Sequence, residues 1–546
     1  MSAGGWVDGR IGGWLALAGA LALSAYPPIP LSAQTNDTLG TRGAVPTFDT
    51  VVVHNSNIFD DEQAQYIGFM AKLANSLHIR TQAAVIRRTL LIQPGDAYDS
   101  ARVVESERRL RGLGVFREAR VDTARVQGRL ALVAATADGW STKPTLNFST
   151  VGGGQTWEAG VVEDNFLGLA TTFVAIFRKT PDRRELELQY VSPHFVFRRA
   201  RLAAVYLDRS DGQRWSWSYG VPFYHASARR ALVAEADAVD GRVLTFKTGL
   251  PLDTLTRRSL RFALTAGTAL RATNRDYTRL WATAQWRRED IGQEGVALPG
   301  SVFGAAGVGI DFGHVRFRVL RHLNSYARRE DANLSRVVRL GIWAAPRAWG
   351  YPASQAGVGP DVYGHIATAW PKGFATLRVE THGIYTAAGL DTGRARAALT
   401  VVDQNLRRQT WVLFVEGGVA QRPREGSEFD FWLERRGPRL FGVHAFTGTR
   451  MLWGMLEDRI LVSEDFGGLL GVGLAPFVDW GGAWYADESP RFGGNVGLSI
   501  RLGPTRAVRG DATEIAVGLR YGRGWRTSEG GNGRRWAVTL RRGFEL

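Results

Sequence analysis

The chain predicts a mainly β protein: a transmembrane antiparallel β-barrel of about 16 strands, preceded by a small α/β domain. Three observations predict it. Through residues 142–546, short runs alternate apolar and polar residues between Gly, Asp, Asn and Pro, with no convincing amphipathic helix. The polar face of those runs carries Arg and Glu, and no complementary apolar layer elsewhere in the chain covers the other face. The chain also holds 18 Trp, 26 Phe and 14 Tyr against four Met. Such rings belong where one end is apolar and the other wet. A soluble sandwich shares the period of two, but an apolar-out, polar-in barrel with aromatic girdles accounts for all three.

The first 33 residues read as a signal peptide. Arg10 is the basic n-region, Ile11 to Ala25 the apolar h-region, and Leu31-Ser32-Ala33 the small residues before a cleavage at Gln34. The alternative is an N-terminal anchor helix, but the apolar run is short of the roughly 20 residues a span requires. Either way the chain is exported. Residues 34–48 are polar, with Gly40, Gly43 and Pro46, and read as a linker.

Residues 49–138 follow as a mixed segment. Thr50 to Val53 is β-branched and strand-like. Gln82 to Ile92 has helical spacing and is stopped by Pro94-Gly95. Asp99 or Ser100 caps a second helix that places Val103, Leu110 and Leu113 on one face and ends at Gly114. Two strands close the segment, Phe116 to Val121 and around Leu130, Leu132 and Ala134.

In residues 142–546, Leu186, Leu188 and Tyr190 alternate with Glu185, Glu187 and Gln189. Trp215, Trp217 and Tyr219 alternate with serines. The same period runs through Val315, Phe317 and Val319, through Phe429, Phe431 and Leu433, and through Trp536, Val538 and Leu540. At roughly 25 residues per strand with its loop, the segment yields about 16 strands.

Charge has an address. The formal net charge is +16. Residues 49–138 carry 12 basic and 11 acidic residues, and the charges before them cancel, so about +15 falls on residues 142–546, nearly all of it Arg. A lumen of Arg–carboxylate pairs is the plainer reading, and an electropositive rim toward anionic head groups the sharper one. Nucleic acid is not an expected partner, because the basic residues are spread over strands of an exported chain. Cys 0 excludes a thiol nucleophile, a Cys-ligated metal and a stack of disulfide domains. No HExxH or G-x-S-x-G is present, and no phosphate-loop Lys follows Gly307-Val308-Gly309 or Gly471-Val472-Gly473. In strands such glycines mark kinks or bulges that curve a barrel. The chain is read as no enzyme, with neither cofactor nor metal.

Two stretches carry a resemblance. Val85-Ile86-Arg87-Arg88, Leu91-Ile92-Gln93-Pro94-Gly95-Asp96, Tyr98-Asp99 and Leu113-Gly114-Val115-Phe116 make residues 49–138 similar to a POTRA domain, the periplasmic polypeptide-transport module. The rest resembles the barrel of the BamA/TamA outer-membrane assembly-factor superfamily, also called bacterial surface antigens. Glu163-Asp164-Asn165-Phe166-Leu167-Gly168 matches its early-hairpin pattern, and Phe477-Val478-Asp479-Trp480-Gly481 its late F-x-D-x-G strand. Arg439-Leu440-Phe441-Gly442 falls where its L-R-G-Y loop motif would. In that motif an Arg occupies the position of Phe441 and pairs with the acidic residue of the late strand. The resemblance therefore leaves Asp479 to Arg439 or to Arg450.

The resemblance implies an outer-membrane barrel with a periplasmic soluble domain. It would assist insertion, assembly or translocation of other polypeptides, without nucleotide or metal. Its partners would be outer-membrane lipid, unfolded or exported clients and accessory periplasmic proteins. A secretion transporter and a stand-alone pore or surface antigen are the alternatives. Closure of the barrel at a weak seam, with Gly152-Gly153-Gly154 in or beside the first strand, is the implied mechanism.

Overall fold

The computed structural model describes residues 46–59, 68–149, 156–247, 250–293, 296–297, 300–351, 356–386, 389–423, 426–431, 437–442, 444–508, 512–523 and 535–542. The expected signal peptide, most of the expected linker, Gly152-Gly153-Gly154 and the terminal Phe544-Glu545-Leu546 lie outside them.

The small domain has strands β1 (Thr50–Ser56), β2 (Phe116–Val126) and β3 (Arg129–Asp138). The central β3 pairs with β1 in parallel and with β2 antiparallel. Its helices among the described residues are α1 (Phe69–Leu77), α2 (Ala83–Thr89) and α3 (Ser100–Gly112). Asp99 caps α3 as its residue type predicts, accepting from the N–H of Ala101 at 2.9 Å and of Arg102 at 3.2 Å. Gly114, at φ 69, turns the chain out of the helix. Val85, Ile86, Leu90, Ile92, Val103, Leu110, Leu132 and Ala134 form the core.

Three readings of this segment change. The helix expected over 82–92 stops at Thr89, because the chain turns extended at Leu90 so that Leu90, Leu91 and Ile92 enter the core. Pro46 to Phe48, read as linker, belong to the domain: Phe48 is buried in its core and exchanges backbone hydrogen bonds with Gly95 and Asp96. Helix α1 was not foreseen. Its large apolar residues face outward, which hides it from a search for a core-facing stripe.

Among the described residues the rest is one closed antiparallel barrel of twenty strands. The first six are β4 (Thr142–Ser149), β5 (Thr156–Glu163), β6 (Thr172–Lys179), β7 (Arg184–Ser192), β8 (Arg201–Arg209) and β9 (Gly212–Val221). Eight strands follow, all but β14 longer: β10 (Arg230–Lys247), β11 (Leu250–Ala272), β12 (Asp276–Gln293), β13 (Ser301–His314), β14 (Arg336–Ala345), β15 (Gly357–Trp370), β16 (Gly373–Thr386) and β17 (Gly389–Asp403). The wall ends with β18 (Gln409–Gln421), β19 (Arg450–Phe466), β20 (Leu470–Trp484), β21 (Phe492–Pro504), β22 (Thr513–Arg523) and β23 (Arg535–Arg542), which returns to β4. An even strand number leaves both ends of the barrel chain on the side of the small domain.

The expected strand count of about 16 is corrected to twenty. Connections such as 180–183, 210–211, 273–275 and 371–372 are only two to four residues long, which makes each repeat shorter than the roughly 25 residues assumed. Two alternating runs are not wall strands. Phe317–Leu320 pairs with Glu330–Asn333 in a separate hairpin, and Phe429–Asp430 pairs with Thr447–Gly448 inside a long connection.

The wall is apolar outside. Leu146, Trp157, Trp215, Leu264, Val308, Ile342, Leu377, Val478, Val517 and Val538 are exposed. On the opposite face Glu158, Arg178, Glu185, Arg214, Arg287, Glu289, Asp361, Glu416 and Arg501 are buried. Arg178 shows the pattern, reaching Glu158 on β5 and Glu185 on β7. An outward apolar band around a charged interior is the arrangement a bilayer selects and water does not. Among the described residues no helix is long and apolar enough to cross a membrane, which says nothing of a β-barrel.

Candidate functional site

Two segments enter the lumen. From the domain side comes the 315–335 connection between β13 and β14, built on the Phe317–Leu320 hairpin. From the far side comes the 422–449 connection between β18 and β19. They meet at the wall formed by β19 to β22.

The 422–449 segment brings Arg439 to the wall with no exposed side-chain surface. Its Nε donates to Asp479 Oδ2 at 2.8 Å and its Nη2 to Asp479 Oδ1 at 3.0 Å, a bidentate fork. Its Nη1 lies 3.0 Å from Glu457 and 3.3 Å from Glu514. Below these, Arg501 bridges Glu457 and Glu514, and Arg459 Nε donates to Glu457 at 2.7 Å. Three guanidinium groups thus face three carboxylates in one buried, neutral cluster. Oriented with its amide oxygen toward the segment, Asn495 accepts from the N–H groups of Arg439 and Leu440 at 2.8 and 3.1 Å.

The strand motif explains itself here. Phe477 lies under the Arg439 guanidinium, 3.8 Å from ring centre to Cζ. Asp479 takes the fork. Gly481 leaves space for Trp453, since a Cβ there would stand 2.4 Å from that residue's Cβ. Arg439 is therefore the partner left open by the sequence, while Arg450 stands exposed at the start of β19. Phe441, in the position where the motif has Arg, instead joins Phe431 and Phe446 in an aromatic cluster. Gly442 follows it into the same packed segment, and Leu440 is buried against Phe477.

Glycines of the wall seat these rings. A Cβ at Gly493 would lie 2.4 Å from Phe441 Cζ, and one at Gly418 2.8 Å from Phe429 Cζ. Gly471 and Gly473 seat Tyr326 of the domain-side segment, whose hydroxyl donates to the Arg501 carbonyl at 3.0 Å. Gly307 and Gly309 lie under Trp343 and Trp281. Expected as kinks or bulges, these glycines are openings for aromatic side chains, and the stretch holding Gly471 and Gly473 also faces a register shift in β19, between Leu461 and Phe466. Arg459 also donates to the Leu323 carbonyl, so both segments are fastened to one cluster.

A second fastening lies at the far mouth. His444 bonds Asp430 at 2.5 Å and Asp182 at 2.8 Å, and stacks on Phe246 at 3.5 Å. Burial opposes its charge, but the two carboxylates outweigh burial and raise the ring to about 9. Asp182 sits in the turn between β6 and β7, so this contact spans the mouth.

The other two motifs lie elsewhere. In the turn after β5, the Asn165 amide donates to the Ile79 carbonyl at 3.0 Å and to Thr81 Oγ1 at 3.1 Å. Glu163 accepts from the Asn165 N–H, and the Gly168 carbonyl accepts from the Gln82 N–H at 2.9 Å. This hairpin docks the small domain. In the Pro94-Gly95-Asp96 turn, Gly95 takes φ 90 and Asp96 accepts from Arg102 at 3.0 Å, tying α2 to α3. The docking continues through Arg198, which donates to the Leu90 carbonyl at 2.9 Å, and through Arg111 with Asp331 at 3.1 Å. Among these cations, burial and the charges of Arg109 and Arg88 push His194 down to about 4.

Sequence reasoning missed Glu457, Glu514, Arg459 and Arg501. Their signal was present as charged residues on the polar phase of strands, but the phase does not say which charges meet.

No protein-family model and no curated protein matches this chain. Solved structures do. The chain is similar to CdiB from Escherichia coli, with TM-score 0.48 and 10% identity, over 98% of this chain and 97% of that one. It is similar to BamA from Haemophilus ducreyi lacking POTRA domains 1–3, with TM-score 0.36 and 11% identity, over 90% and 85%. It is also similar to the siderophore receptor PirA from Pseudomonas aeruginosa, with TM-score 0.33 and 10% identity, over 76% and 83%.

Proposed function

We propose that this protein sits in the outer membrane of a Gram-negative-type cell and assists the insertion or translocation of other polypeptides there. The small domain, read as a POTRA-type module, then lies in the periplasm and the 422–449 segment enters from outside.

One observation carries this reading: the wall is low beside the closing strands. β6, β7 and β8 have 8, 9 and 9 residues, whereas β10, β11 and β12 have 18, 23 and 18. With a rise of about 3.3 Å and a tilt of about 45°, eight residues span about 19 Å, less than the usual apolar band of about 25 Å. Lipid beside the β4–β23 seam is thinned. Parting those strands exposes backbone groups that cost several kcal/mol each in hydrocarbon, and an incoming strand satisfies them. Thinned lipid lowers that cost. The step needs no nucleotide, metal or covalent bond.

A passive pore fits less well, because two fastened segments occupy the lumen. Secretion through the lumen is the second reading, favoured by the fastening of the far-side segment through discrete ion pairs that a passing chain can displace.

The test uses the mature protein in liposomes and follows folding of a second, urea-denatured barrel. Acceleration over liposomes holding an unrelated barrel is the expected result. The chain has no native cysteine, so a cysteine at 146 and one at 538 or 540 form the sole disulfide and lock the seam. Loss of acceleration on locking, restored by reductant, supports the seam; retained acceleration rules it out.

A further inference from the structure

Helix α1 is packed the wrong way round for a soluble domain. Its small and polar face is the one fastened: Ala71 is buried and Ala74 half-buried against Ile58, Phe59 and Trp140. Asn75 exchanges hydrogen bonds with the Phe59 backbone at 2.9 and 3.1 Å. Its large apolar face points away, with Phe69 74% and Leu77 65% exposed and Leu73 between them on the same stripe. Ile79, just beyond the helix, is 56% exposed.

This stripe does not end at the domain. A Cβ at Gly168 would touch Ile79 at 3.4 Å, which brings the helix against the barrel turn after β5. In that turn Leu167 is 53% exposed, and Phe166 and Leu169 are exposed beside it. Phe166 in turn packs on Phe173 of β6 at 5.6 Å. Phe173 lies on the outward face of β6, opposite the phase that sends Arg178 into the lumen. An apolar surface therefore runs unbroken from the outer belt of the barrel, over the first turn, onto α1. Exposed cations Lys72 and Arg80 flank it.

We propose that α1 is an interfacial helix, seated with the 166–169 turn in the periplasmic leaflet of the membrane that holds the barrel. Its occupant is lipid: acyl chains against Phe69, Leu73, Leu77 and Leu167, and phosphate-bearing head groups against Lys72 and Arg80. Continuity with the lipid-facing belt is the reason for choosing lipid over a polypeptide. The seat lies beneath the low wall of β4 to β6. It fixes the small domain against the bilayer at the strands proposed to part, and it rests on the membrane reading above.

The test exploits the absence of cysteine. Single variants Leu77→Cys, Val308→Cys and Gln127→Cys are labelled with an environment-sensitive fluorophore, and the full mature chain is reconstituted in phosphatidylethanolamine–phosphatidylglycerol liposomes. Position 308 reports the belt, and 127 the β2–β3 hairpin tip remote from the barrel. All three side chains are outside the core, so folding is retained. The expected result is blue-shifted emission and quenching by nitroxide-bearing lipid at 77 as at 308, with aqueous iodide quenching only 127. Lipid quenching at 308 but not at 77 overturns the α1 seat while leaving the barrel in the membrane. No lipid quenching at 308 overturns the membrane reading itself. A label at 77 that iodide reaches until an unfolded client is added marks a polypeptide site and overturns the lipid seat.

Discussion

Removing one guanidinium from the lumen should release the far-side segment. In Arg439→Ala, Glu457 keeps Arg459 and Arg501, and Glu514 keeps Arg501. Asp479 loses both arms of its fork and retains only the uncharged backbone N–H of residue 439, at 3.1 Å. A buried carboxylate stripped of its partner costs about 3–5 kcal/mol. Even 3 kcal/mol corresponds to about a hundredfold change in the equilibrium between seated and released segment. The assay is limited proteolysis of the 422–449 segment in liposomes, with urea unfolding followed by tryptophan fluorescence. Arg439→Ala should expose the segment to protease and lower the unfolding midpoint. Arg439→Lys should rescue only in part, because an ammonium cannot reproduce the fork. The double variant with Asp479→Ala should be less destabilised than the two single effects added, since the orphaned charge is gone. A protected segment in Arg439→Ala, with stability within about 1 kcal/mol of the parent, would falsify the claim that this cluster fastens it.

Other outcomes follow from the same geometry. His444 is raised to about 9 from an ordinary 6.5, so its stabilisation is complete below pH 6.5 and fades as pH rises through 9. Cleavage of the segment should therefore accelerate between neutral pH and pH 10, and His444→Gln should remove that dependence; an unchanged profile in the variant contradicts the assignment. Gly493→Val puts a side chain where Phe441 and Phe446 stand, and should displace the segment at a cost of about 1–3 kcal/mol while barrel circular dichroism stays unchanged. Asp99→Ala should cost the small domain about 1 kcal/mol through its lost helix cap, read by amide exchange in α3. Faster exchange in the barrel strands instead would show that the two parts do not respond separately.

How far the sequence was legible depends on the range of the interaction. The cap at Asp99 and the left-handed Gly114 act within four residues, and α3 appears where they place it. The alternation of Trp215, Trp217 and Tyr219 acts along one strand, and β9 carries it. Val315, Phe317 and Val319 alternate equally well but form a hairpin off the wall. A period of two marks a two-faced strand and is silent on which sheet it joins. The strand count failed similarly, because a tight turn and a long loop differ little in composition.

By itself, the sequence determined the mainly β class and the outward apolar and inward charged faces. Only the tertiary structure decided that Arg439, forty residues before Asp479, is the one that reaches it, with Glu457, Arg501 and Glu514 joining from three further strands. Periodicity is a property of the local backbone and is written in each segment. Partner choice in a buried ionic cluster depends on ring closure, register and the depth to which a loop descends, and these exist only once every strand has found its neighbour.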